Sequence, residues 1–154
     1  MKNKRYILLL LLFIPILSFS KTLAICNTEL EHAYYPAIGM LSDNDSGWKI
    51  SADPGAITLN ELPDGNFDIL FTDALSKTIK SARRLKAKIE LLWKQKKDMA
   101  FTVTYPNYSG IEIYHFTKIN RGKNIITILS TKGGNNLFYK SSVENGVCSF
   151  VSYD

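Results

Sequence analysis

The sequence predicts an all-β protein, folded as a single antiparallel sandwich or barrel-like domain. Turn-forming groups rich in Pro, Gly, Asn and Asp recur along the chain, as in Pro63-Asp64-Gly65-Asn66 and Asn145-Gly146. The runs between them are rich in Ile, Val, Thr, Phe and Tyr, and several alternate apolar with polar residues. Short runs of this kind, separated by turns about every 8–12 residues, are typical of antiparallel sandwiches and barrels.

The elements follow in chain order, beginning with one short helix. Asn27-Thr28-Glu29 has the residue types of a helix N-cap, which predicts a short N-terminal helix over 27–35. Runs of strand-forming residues follow it. They predict strands near 47–52, 56–62, 67–72, 99–105, 111–117, 124–130, 136–140 and 147–152.

The stretch from Ser76 to Asp98 fits both a helix and a pair of strands. As a helix, it has apolar residues at 3–4 spacing, namely Leu75, Ile79, Ala82, Leu85, Ile89 and Leu92. As strands, it has apolar residues at every odd position over 85–93, and the alternation continues over 99–105. Periodicity leaves both open, so an α+β fold with one helix near 76–97 is the alternative to the all-β fold.

Four segments of the C-terminal half form a pattern. They are Val103-Thr104-Tyr105-Pro106, Ile111-Glu112-Ile113-Tyr114-His115-Phe116, Lys140-Ser141-Ser142-Val143 and the C-terminal Cys148. The pattern resembles an uncharacterised group of small exported bacterial proteins, in which a Tyr-Pro turn, a Glu-x-Tyr-x-Phe strand and a closing Cys recur. Over residues 72–150 the resemblance implies a β fold and export, but no activity. It favours a hairpin of 87–93 and 99–105 over the helix.

Residues 1–24 have the three parts of a secretory signal peptide. A basic start precedes an apolar stretch over 7–17, and small residues follow at the spacing that signal peptidases accept. Thr22-Leu23-Ala24 is the favoured cleavage motif, and Ser18-Phe19-Ser20 is the second. The apolar stretch is too short to favour a permanent membrane span. We therefore predict that 25–154 is a single exported domain, periplasmic or secreted, with no transmembrane segment after cleavage.

Cys26 and Cys148 are the only cysteines and lie near the two ends of the exported part. In an oxidising compartment, an even pair in a small domain predicts one structural disulfide. For a loop of this length, chain entropy gives a stabilisation of roughly 4–5 kcal/mol at best. The alternative is a lipoprotein, because Leu23-Ala24-Ile25-Cys26 partly matches a lipobox. The bulky Ile25 directly before the cysteine argues against lipidation.

Charge is distributed unevenly along the exported part. The whole chain has 19 Lys and Arg against 14 Asp and Glu, but four of the basic residues lie in the signal peptide. The basic excess therefore gives no argument for nucleic-acid binding. Residues 25–75 hold nine acidic residues and one lysine, whereas residues 76–154 hold 14 basic and five acidic residues.

If 76–98 is strand, five basic residues should share one face of it. They are Lys80, Arg84, Lys86, Lys88 and Lys94. Such a face would bind an anionic partner, either an acidic protein or a component of the cell envelope. The alternative is an ordinary solvated face that pairs across strands with the acidic half of the chain.

Residues suited to catalysis or metal binding are sparse. The only histidines are His32 and His115, and Glu112 lies at a spacing that turns it to the opposite strand face from His115. The sequence contains no nucleophile elbow, P-loop, zincin helix or dinucleotide fingerprint. We predict neither a cofactor nor a metal site. Neighbouring carboxylates such as Glu29 and Glu31 are interpreted as solvated surface groups.

These features predict a non-enzymatic exported binding or interaction protein, of the inhibitor or immunity type, that uses the basic face and binds no nucleic acid. The grounds are export, the lack of catalytic motifs and the one-sided basic stretch. Two other classes stay open. One is a small cell-envelope hydrolase that uses His115 with a nearby acid, and the other is a β-barrel that binds a small ligand in its interior.

Overall fold

The strands form one antiparallel sheet that curls into a half-barrel, which confirms the predicted all-β fold. The computed structural model describes residues 19–39, 41–52, 55–73, 76–107, 109–119, 122–133 and 139–154. Within these ranges the strands are β1 (Lys21–Tyr35), β2 (Gly47–Ser51), β3 (Ala56–Glu61), β4 (Phe67–Thr72), β5 (Ile79–Ser81), β6 (Lys88–Lys94), β7 (Asp98–Tyr105), β8 (Gly110–Lys118), β9 (Asn124–Lys132) and β10 (Lys140–Val151). Their order in the sheet is β5-β4-β3-β1-β10-β9-β8-β7-β6, and β2 pairs with the end of β1.

The predicted N-terminal helix over 27–35 is wrong, because these residues belong to the long central strand β1. One edge of β1 pairs with β10, and the other pairs first with β3 and then with β2. An N-cap sequence expresses only a local preference. Backbone pairing along both edges of a strand outweighs that preference.

The stretch 76–98 contains no helix, so the alternative α+β fold is wrong. It holds the short strand β5, a turn, and β6, which pairs with β7 in the hairpin that the resemblance favoured. Lys86 in the turn has a φ of 63°, a left-handed conformation incompatible with a continuous α-helix. Of the predicted strand over 136–140, residues 136–138 lie outside the described residues, while Tyr139 precedes β10 and Lys140 begins it.

Irregular pairings bend the sheet. On β1, Glu29 is an extra residue between two positions that pair with consecutive residues of β10. A Cβ atom on Gly146 would lie 2.2 Å from the carbonyl oxygen of Asn27, so the strands approach this closely only because residue 146 is glycine. Another bulge, at Leu92, interrupts the pairing of β6 with β7.

The apolar core fills one end of the concave face. Its fully buried side chains include Leu23, Leu59, Ile69, Met99, Phe101, Phe116 and Ile126. Cys26 and Cys148 lie opposite each other on β1 and β10, and their Sγ atoms are 2.01 Å apart. The predicted disulfide is confirmed, and it is compatible with an oxidising, exported location.

Among the described residues, none forms a helix that is long and apolar enough to cross a membrane.

Candidate functional site

The other end of the concave face is an open cleft of about 690 Å³. The strands that form the core also form this cleft, and their inward side chains become polar toward it. From the core end to the cleft end, the inward residues of β8 are Phe116, Tyr114 and Glu112. On β10 the inward positions change in the same direction from Cys148 in the core to Glu144 in the cleft. We call this the acid–tyrosine cleft. Its inner wall comprises Glu31, Tyr105, Glu112, Tyr114, Ser130, Lys132, Lys140 and Glu144.

Glu112 is the centre of a buried hydrogen-bond cluster, with only 8% of the residue exposed. Its Oε2 accepts a hydrogen bond from the Tyr114 hydroxyl at 2.7 Å and another from the Tyr105 hydroxyl at 3.1 Å. Its Oε1 lies 3.4 Å from the Lys132 ammonium. Burial, together with the Glu112 charge, raises the pKa of both tyrosines. Both hydroxyls therefore stay protonated and remain hydrogen-bond donors.

Glu31 and Glu144 lie directly opposite each other on β1 and β10, and both line the cleft. Lys140 forms an ion pair with Glu31. Burial raises the pKa of Glu144; the charges of Glu31 and Glu112 act in the same direction, whereas a hydrogen bond with Thr28 and the Lys140 charge act against it. Like charges directly opposite in a sheet are destabilising. Such arrangements in a cleft are typical of binding and catalytic sites.

The opposite wall of the cleft comes from the other side of the half-barrel, near β4 and β5. There the Lys80 ammonium lies 2.7 Å from Oδ2 of Asp73, and the Ser76 N–H donates to Oδ1 of the same carboxylate at 2.7 Å. These two donors hold the pKa of Asp73 well below its ordinary value. Lys80, one of the predicted partner-binding residues, is thus held by an ion pair in the cleft wall.

The predicted basic residues do not share one face. Lys80 lies on β5, whereas Arg84 and Lys86 are exposed in the turn that follows it. Lys88 and Lys94 lie on β6, one before and one after the bulge at Leu92. The extra residue at the bulge reverses the alternation of side-chain directions along the strand. Lys88 lies opposite Thr104, but Lys94 lies opposite Met99, and those two β7 residues point to opposite faces. The single face expected from strict alternation is therefore wrong.

The histidines lie away from the cleft. His115 is on the convex face, opposite in direction to Glu112 as predicted, with its Nε2 3.0 Å from the Thr117 hydroxyl. Its ring contacts Trp93 at a centroid distance of 5.6 Å, and His32 is exposed on β1. Within the part of the chain that the structure describes, no three His, Cys, Asp or Glu side chains are grouped to hold a metal ion. The acidic residues of the cleft and His115 therefore lie on opposite faces of the sheet, and they do not form the pair that a hydrolase using His115 with a nearby acid would need.

The cleft is not apparent from the sequence pattern. That pattern predicts a solvated surface position for Glu31, yet Glu31 is partly buried and ion-paired. One signal was present on β8, where Glu112 occupies the same alternating set as Tyr114 and Phe116. A carboxylate in register with two large aromatic residues indicates an inward-facing polar group. No local pattern in the sequence indicates that Glu31 lies opposite Glu144. This pairing depends on the register between β1 and β10, which are neighbours in the sheet but far apart in the sequence.

No family model matches this chain, and no curated protein or solved structure is significantly similar to it.

Proposed function

We propose that this protein is an exported, periplasmic or secreted, binding protein whose acid–tyrosine cleft holds a small polar ligand with a cationic group. The observation that carries the proposal is the direct opposition of Glu31 and Glu144 inside a cleft of about 690 Å³. This volume suits a small molecule, since ligand sites commonly enclose roughly 300–1,000 Å³.

The complete lining of the cleft holds four carboxylates and four lysines, so the support for a cationic ligand is local and comes from the inner wall around Glu144. Three carboxylates line it, but Lys132 pairs with Glu112 and Lys140 pairs with Glu31. Among the described residues, no ammonium or guanidinium group forms a salt bridge with Glu144. An amine or guanidinium on the ligand would neutralise Glu144 and make charge-assisted hydrogen bonds with it.

The rest of the lining indicates what surrounds that cationic group. Ser130 brings a hydroxyl, which lies 2.8 Å from the Ser142 hydroxyl, and Tyr105 adds an aromatic edge. Phe71 and Leu85 contribute apolar surface on the other side of the cleft. Apolar walls with a few placed polar groups are the usual composition of small-molecule sites. We therefore expect an amine on a compact body that is partly apolar or hydroxylated.

Calorimetric titration with matched pairs of compounds tests the proposal. Glucosamine against glucose, and benzylamine against benzyl alcohol, differ chiefly in the cationic group. We expect at least one amine to bind and its neutral partner not to bind. Glu144→Gln should weaken amine binding by about 10–100-fold, because it removes a charge-assisted hydrogen bond.

Glu90→Gln is the matched control. Glu90 lies on β6, is exposed, and forms a 2.8 Å ion pair with Lys88. This variant should bind the amine as the unmodified protein does. Equal binding of amine and neutral compound, or an undiminished affinity in Glu144→Gln, would contradict the proposal.

A further inference from the structure

The edge of the sheet at β6 exposes a run of apolar side chains. Leu91, Leu92 and Trp93 are consecutive, and they are 40%, 46% and 41% exposed. Leu91 lies opposite the inward-facing Phe101, whereas Trp93 lies opposite Ala100 and contacts His115 on the convex face. The bulge at Leu92 thus exposes apolar side chains on both faces of this edge. Consecutive exposed apolar residues are rare on soluble proteins unless they serve an interaction.

Positive charge surrounds this apolar run. The exposed lysines before and after it are Lys86, Lys88, Lys94, Lys96 and Lys97. Two of these lysines have local partners, since Lys88 pairs with Glu90 and the Lys94 ammonium donates a hydrogen bond to the backbone oxygen of Asp154. Asp98 accepts a hydrogen bond from the Trp93 indole N–H at 2.8 Å. We call residues 86–97 the β6 edge. It combines an apolar tip with an excess of ammonium groups.

We propose that the β6 edge docks on a lipid bilayer that contains anionic lipids. Tryptophan side chains are favoured at the headgroup level of a bilayer, and leucine side chains can be buried at the boundary between headgroups and acyl chains. Lysines are attracted to anionic headgroups. Trp93 is already held in place by its hydrogen bond to Asp98 and its ring contact with His115, so docking orders few additional groups.

The bulge favours a lipid surface over a partner strand. A protein that adds a strand to a sheet edge needs a regular row of free backbone donors and acceptors. Bulges and lysines are the devices by which sheet edges avoid such pairing, and the β6 edge has both. Lipid headgroups impose no register, so a bulged edge can meet them. This proposal does not depend on the ligand of the acid–tyrosine cleft.

Tryptophan fluorescence provides the first test, because Trp48 and Trp93 are the only two tryptophans. The Trp48→Phe protein reports on Trp93, and the Trp93→Phe protein reports on Trp48, which is 72% exposed on β2. Each is mixed with vesicles of phosphatidylcholine alone or of phosphatidylcholine with phosphatidylglycerol. We expect Trp93 emission to shift to the blue with the anionic vesicles only, and Trp48 emission to stay unchanged with both.

Vesicle sedimentation gives the affinities. The double variant Lys96→Glu/Lys97→Glu should bind the anionic vesicles at least about tenfold more weakly, and so should Leu92→Ser. The double variant Lys49→Glu/Ile50→Ser changes an exposed lysine and an exposed isoleucine on β2, and it should bind unchanged. Unshifted Trp93 emission, equal binding to neutral vesicles, or full binding by the β6-edge variants would overturn the proposal.

Discussion

The two ends of the concave face are built from the same strands, yet different interactions hold them. At the core end, Phe101 and Phe116 are 0% exposed, and the Phe101 ring contacts Phe67 at a centroid distance of 4.9 Å. At the cleft end, the inward groups are carboxylates that only hydrogen bonds and ion pairs compensate. Apolar burial stabilises without a matching partner, whereas a buried charge costs free energy unless it is paired. The core end therefore supplies the stability that allows the cleft end to keep two opposed carboxylates.

The largest expected effect concerns the start of β1. Leu23 and Ala24 are 1% and 0% exposed, and the Leu23 carbonyl accepts a hydrogen bond from the Ser152 N–H at 2.7 Å. Cleavage after Ala24, the motif that the sequence favours, would remove these residues from the core end. Compared with protein 21–154, we expect protein 25–154 to lose about 4 kcal/mol or more of its free energy of unfolding in urea.

The proposed export predicts a cleaved chain, and its mass would identify which of the two cleavage motifs is used. Cleavage after Ser20 keeps β1 intact, so we expect the first residue to be Lys21. A mature protein that begins at Ile25 and unfolds at the same urea concentration as protein 21–154 would show that the start of β1 is dispensable.

A pair of substitutions on β8 compares the two ends directly. Phe116→Ala opens a cavity in the core and should lower the free energy of unfolding by about 3–5 kcal/mol. Tyr114→Phe, two residues away on the same face, removes one hydrogen bond to Glu112 and should cost about 1–2 kcal/mol. Guanidinium unfolding of both variants measures the difference. Equal losses would mean that the cleft end contributes as much stability as the core.

The smallest effect is the most specific to the cleft. Burial raises the pKa of Glu144 above 4.5, so the folded protein holds this proton to a higher pH than the unfolded chain does. The resulting contribution to stability is complete below the unfolded value and is lost as the pH rises through the raised pKa. Glu144→Gln should therefore be more stable than the unmodified protein at pH 7, and this advantage should disappear at acidic pH.

Urea midpoints at a series of pH values measure this effect, and Glu90→Gln serves as the exposed control. If Glu144→Gln is less stable than the unmodified protein at neutral pH, then Glu144 is a stabilising group and its opposition to Glu31 carries no cost. Together with the calorimetric titration, this result shows whether Glu144 contributes to ligand binding at a cost in stability or contributes to the stability of the fold.

Local patterns predicted part of this molecule well. On β7 the alternation of Met99, Phe101, Val103 and Tyr105 predicts one inward face, and all four residues are buried there. On β8 both alternating sets are apolar enough to form a core. Ile111 and Ile113 lie on the convex side, where Ile111 is 48% exposed, while Glu112 and Tyr114 face inward. Local alternation shows that two faces exist, but it does not show which one the curled sheet encloses.

The sequence by itself determined the turns, the strand-forming runs and the disulfide, because glycine and proline chemistry, side-chain alternation and a single pair of cysteines are local or unambiguous properties. Only the tertiary structure decided that 27–35 is a strand, that Glu31 faces Glu144, and that the bulge at Leu92 divides the basic residues between two faces. Each of these outcomes depends on the register between strands, which for β1 and β10 joins the two ends of the chain. Register is set by how the whole sheet pairs and bends, and no short stretch of sequence contains that information.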